Sequence, residues 1–65
     1  MKEFKIEIWI YGSITDTYTN TSINEVLKWF KENWKCCYDN GGCAFYVYED
    51  GRVLSFNETY NLGFE

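Results

Sequence analysis

Fourteen of the 65 side chains are aromatic: three Trp, six Tyr and five Phe. That count constrains the fold more than any other feature. A chain this short forms a single domain, residues 1–65, and its core has little room for fourteen rings. Some of them must face water or a partner. The pattern of the remaining residues says which.

Residues 4–11 alternate strictly. Phe4, Ile6, Ile8 and Ile10 fall on one side, and Lys5, Glu7, Trp9 and Tyr11 on the other. Period two with β-branched residues predicts a strand, broken or bulged at Gly12. Residues 13–22 hold four threonines, which suits either a continuation past a bulge or a polar loop. Ser22-Ile23-Asn24-Glu25 has capping-box spacing. Ile23, Val26, Leu27, Phe30 and Trp34 then recur on one helical face, with Lys28, Lys31 and Lys35 opposite. The spacing predicts a helix over about 23–36, with Trp29 on its flank.

Asp39-Asn40-Gly41-Gly42 reads as a loop and Asp50-Gly51 as a type I′ hairpin turn. The hairpin joins strands 43–49 and 52–57. Its register pairs Glu49 with Arg52 and Tyr48 with Val53, and carries on to Phe45 with Phe56. Phe45, Val47, Leu54 and Phe56 would share the apolar face. Tyr60, Leu62 and Phe64 alternate once more, which suits a short fourth C-terminal strand or an arm. The expected class is α+β: a β-α-β-β domain with one helix packed on a mostly antiparallel three-stranded sheet. One helix covers one sheet face. The other face, carrying Trp9, Tyr11, Tyr46 and Tyr48, is left open, and self-association as a homodimer is expected there.

Chemistry is thin. The chain has no histidine, no nucleophile–base pair that needs one, and no phosphate-cradling glycine motif. Enzymatic activity is not expected, and neither is a cofactor. Cys36, Cys37 and Cys43 are one ligand short of a structural zinc site, so no metal is expected. A structural metal or redox module on these cysteines is a distant rival. A disulfide linking Cys36 or Cys37 to Cys43 would need oxidising conditions. Cys43 is instead expected to pack as a small hydrophobe, and the other two to end the helix.

The net charge is −4. It concentrates in residues 36–65, where Asp39, Glu49, Asp50, Glu58 and Glu65 stand against Arg52 alone. An acidic chain repels phosphate backbones, so general nucleic-acid binding is not expected. No apolar leader or membrane span is legible in the sequence, so the expected setting is the cytoplasm, away from membranes.

In size, acidity and lack of catalytic parts the chain resembles the small inhibitors that phages and mobile elements encode against bacterial defence systems. The resemblance implies action by occupancy: a small acidic protein that inhibits or regulates a larger, basic, nucleic-acid-handling partner. The candidate charged contacts are Asp39, Glu49, Asp50 and Glu58, with Trp29 and Tyr60 as ring anchors. The alternative is a binding or sequestering protein that holds a nucleotide-like small ligand between aromatic residues at a dimer seam.

Overall fold

The computed structural model describes residues 2–34 and 42–64. The elements are β1 (Phe4–Ile10), β2 (Ser13–Asn20), α1 (Ile23–Asn33), β3 (Cys43–Glu49), β4 (Arg52–Val53) and α2 (Phe56–Leu62). The strands form one antiparallel sheet in the order β2-β1-β3-β4. The fold is the expected small α+β domain, with a fourth strand and a second helix that the sequence reading did not place.

β1 occupies the middle of the sheet because its even-numbered side chains are wholly apolar. Phe4, Ile6 and Ile8 are buried on the side that α1 covers. The strand breaks at Gly12, as expected, and the break is a turn, not a bulge. Tyr11 and Gly12 have φ of 50° and 81° and close a tight hairpin, with Ile10 opposite Ser13. Both central residues at positive φ match the right-handed twist of the flanking strands. The threonine-rich stretch is therefore β2, a mostly exposed edge strand. The irregularity in this hairpin falls between Ile8 and Trp9.

α1 buries Val26 and Phe30 and half-buries Ile23 and Leu27. Lys28 and Lys31 face water. The expected capping box at Ser22 does not form: its side chain makes no cap bond. The Asn20 side chain accepts from the Ser22 amide instead, at 2.9 Å. The helix ends earlier than its apolar spacing suggests. Trp34 is extended, with its amide donating to the Phe30 carbonyl at 2.7 Å. Its ring stacks on Phe30, with centroids 5.6 Å apart. Residues 35 and 36, the rest of the expected helix, lie outside the described residues.

The second hairpin has the expected turn and register, Glu49 with Arg52 and Tyr48 with Val53. One further bond, Leu54 amide to Val47 carbonyl at 2.8 Å, closes the ladder. The expected pairing of Phe45 with Phe56 is absent, because the chain turns at Ser55 into α2. Here a capping box does form: Glu58 donates its amide to Ser55 Oγ, and the Ser55 amide donates to the Glu58 carboxylate. Phe56 is consequently 81% exposed rather than part of the apolar face. The expected C-terminal strand is this helix. It stops at Gly63, whose φ of 108° an L-residue adopts only with strain. That turn sends Phe64 back into the core, against Phe30 at 5.1 Å and Phe45 at 6.1 Å. Phe4, Ile6, Val26, Phe30, Val47, Leu54 and Phe64 form the core.

Cys43 is disulfide-bonded, which corrects its reading as a small packed hydrophobe. Trp34 after α1 and Cys43 at the start of β3 line the same groove, so the fold draws the two ends of this stretch together. The chain's other cysteines, Cys36 and Cys37, lie outside the described residues.

Candidate association surface

The pleat of β1 and β3 places Lys5, Glu7, Trp9, Tyr46 and Tyr48 on the sheet face away from α1, with Val53 of β4 and Ile14 of β2 beside them. The two ends of this face differ. At one end Glu7 is tied down, only 8% exposed although no helix covers it. The Tyr48 hydroxyl donates to its Oε1 at 3.0 Å and the Trp9 indole N–H at 3.4 Å. Lys5 Nζ lies 3.3 Å from its Oε2 and 5.9 Å from the centre of the Tyr48 ring. Burial opposes ionisation of Glu7. The bonds from Tyr48, Lys5 and Trp9 outweigh it, so the carboxyl titrates below the ordinary range. The same bond to Glu7, followed by burial, pushes the Tyr48 phenol up. These groups are satisfied, and they rigidify β1 against β3.

The other end is aromatic and open. Tyr11 is 68% and Tyr46 46% exposed, with Ile14 close to half-exposed; Val53, likewise half-exposed, stands at the Tyr48 end. Trp9 meets Tyr46 edge to face, with centroids 6.1 Å apart. The Tyr11 amide donates to the Gly42 carbonyl at 2.7 Å. Its ring lies so close over Gly42 that a Cβ there would overlap it. Trp9, Tyr11, Gly42 and Tyr46 thus line a shallow depression of about 410 Å3. All four residues expected to self-associate share this face.

The residues expected to contact a partner are dispersed. Glu49 pairs with Lys2 at 3.4 Å and with Arg52 at 3.7 Å. Asp50 sits in the hairpin turn, where its Oδ1 accepts from the Glu3 amide at 2.8 Å. Glu58 receives two bonds from Arg52, at 3.0 and 3.3 Å, in addition to its capping role. Arg52 first, then the Ser55 amide, holds the Glu58 carboxyl down at about 2. Trp29 stacks on Tyr18 at 5.4 Å, on the α1 side of the sheet. Tyr60 is 60% exposed and stacks on Phe56 at 6.3 Å. Asp39 lies outside the described residues.

Three acidic candidates therefore have partners within the chain, while Tyr60 presents its ring to solvent beside Phe56. Sequence reasoning missed Phe56 and the buried position of Glu7. Ser55-x-x-Glu58 was the available signal for the first. The second needed the cross-strand position of Tyr48, which spacing alone does not give.

Among the described residues no three His, Cys, Asp or Glu side chains gather as a metal site would require. No helix there is long and apolar enough to cross a membrane. In comparisons with known proteins, no family model matches the chain, and no significant match is found among curated proteins or solved structures.

Proposed function

We propose that the protein is a non-enzymatic binding protein that inhibits or regulates a larger partner by occupancy, working as a homodimer joined through its open sheet face. The observation that carries the reading is the uncovered aromatic end of that face, with Tyr11, Ile14 and Tyr46 all close to or above half-exposed. Contiguous exposed apolar surface on a small protein marks an interaction site. Tyr and Trp are the residues that anchor such sites. With the sheet face used between copies, the partner is met by the outer edge of β3 and by α2, where Phe56 and Tyr60 stand exposed.

The net charge of −4 favours a partner with a basic surface, whose approach it would accelerate. Proteins that handle nucleic acids carry such surfaces. The small inhibitors that phages encode against defence systems are the functional class this reading fits. The proposed setting is cytoplasmic. There cellular reductants keep most disulfides open, so a free-thiol count on protein from its source tests it. Three free thiols agree with a cytoplasmic setting, and a single one contradicts it.

A photo-crosslinking residue at position 60, introduced in the native source, tests the partner side. One cross-linked protein, much larger than the chain and absent with the crosslinker at Lys28, supports occupancy. Turnover of a substrate by the pure protein would overturn it.

A further inference from the structure

β3 has only a partial neighbour on its outer edge. β4 pairs with Tyr48 and Glu49, and the Leu54 amide reaches the Val47 carbonyl. Beyond that point the chain leaves for α2. Alternate residues of a strand aim their backbone groups at the same side. Since the Val47 carbonyl faces β4, the N–H and C=O of Phe45 face this edge too. The Gly42 carbonyl, of opposite parity, points at β1 and accepts from Tyr11. Among the described residues no strand lies against Phe45 on the outer side.

A groove of about 750 Å3 runs along this edge, from Cys43 to Val47, with α2 as its far wall. That volume is in the range of ligand sites. Phe45, Leu54 and Phe64 form its apolar side, and Phe56 and Tyr60 its rim. None of its lining residues is charged.

The geometry points to strand addition: we propose that this groove takes an extended segment of the partner protein, which pairs its backbone with Phe45. The proposal rests on the reading above and names what the partner contributes. An unpaired strand edge satisfies its donors and acceptors with another extended backbone. The uncharged lining requires an apolar side chain opposite Phe45, where a charge would lose its hydration unpaired. The chain's net charge of −4 favours a segment with basic residues at its two ends over a segment of another copy.

The test uses the full oxidised chain and the blocked peptide acetyl-Lys-Thr-Val-Thr-Lys-amide, titrated and followed by amide NMR. Antiparallel pairing puts the valine opposite Phe45, with its side chain in the groove. The expected result is shifts confined to Cys43–Val47 and α2, with slowed exchange of the Phe45 amide. N-methylation of the valine removes its donor and should weaken binding about tenfold. Replacing both lysines by glutamate should weaken it severalfold, and less so at high salt. Phe56→Ala, at a position whose ring is mostly in solvent, should weaken it with the far-UV spectrum unchanged.

Absent binding, or equal binding of the N-methylated peptide, would overturn the proposal. So would a Phe45 amide already protected in the free monomer. Concentration-dependent protection of the Phe45 amide without peptide, still seen when Tyr11 and Tyr46 are replaced by serine, would assign the edge to a second copy and overturn it too. None of these results bears on whether the sheet face joins two copies, which is read from particle mass.

Discussion

Phe64 and Phe56 are eight residues apart and chemically identical, yet the structure gives them opposite roles. Phe64 is 2% exposed and Phe56 81%. Burying a phenylalanine side chain removes roughly 150–250 Å2 from water, worth roughly 4–6 kcal/mol at about 25 cal/mol per Å2. Alanine keeps only the Cβ, and Phe→Ala changes in cores cost about 3–5 kcal/mol. A single core of this size supplies no more than about 3–5 kcal/mol in total.

Phe64→Ala should therefore remove most of the stability that the core provides, leaving mainly what the disulfide contributes. Urea denaturation followed by tryptophan fluorescence reads this directly, because Trp34 packs on both Phe30 and Phe45. With a slope near 1 kcal/mol per molar, typical of a very small domain, the midpoint should fall by about 3 M or more. Phe56→Ala should stay within about 0.5 kcal/mol of the parent. Equal midpoints for the two variants would refute the placement of Phe64 and with it the return of the chain through Gly63.

Further outcomes follow from other contacts. Glu58 titrates at about 2 instead of its ordinary 4.5, so its contribution is present above about 4.5 and is lost as pH falls toward 2. Glu58→Gln should lower Tm at neutral pH and flatten its decline between pH 5 and 2, as read by calorimetry. Gly63→Ala forces a Cβ onto a φ of 108° and should cost about 1–2 kcal/mol in the urea assay, chiefly through backbone strain. Reduction of the Cys43 disulfide should lower stability by roughly 2–4 kcal/mol, measured with and without a thiol reductant.

Much of the fold was legible wherever pattern and packing agree. β1 is strictly alternating and central, so nothing competes with its period. Asp50-Gly51 fixed both turn and register, because few residues adopt positive φ as readily. The C-terminal stretch misled, since Tyr60, Leu62 and Phe64 alternate like a strand over a span too short to separate the two periods. Only Phe64 of the three is buried, and it becomes so through a turn after the helix. The local signal was in the sequence: Ser55-x-x-Glu58 has the same spacing as Ser22-x-x-Glu25. Neither copy could be ranked without knowing that Asn20 caps the Ser22 amide while Arg52 holds Glu58 in place. The open sheet face could be read because it needs only alternation and a count of helices. The groove beside β3 could not, because it exists only where the β4 ladder stops.

The functional reading stands on the proposed joining of two copies through the aromatic sheet face. Light scattering after size exclusion tests it most directly, on the wild type and on a Tyr11→Ser, Tyr46→Ser double variant. The predicted result is a wild-type mass near twice the 7.8 kDa of the chain, and a folded variant near 7.8 kDa itself. A wild-type mass of 7.8 kDa at high concentration, indistinguishable from the variant, would contradict it.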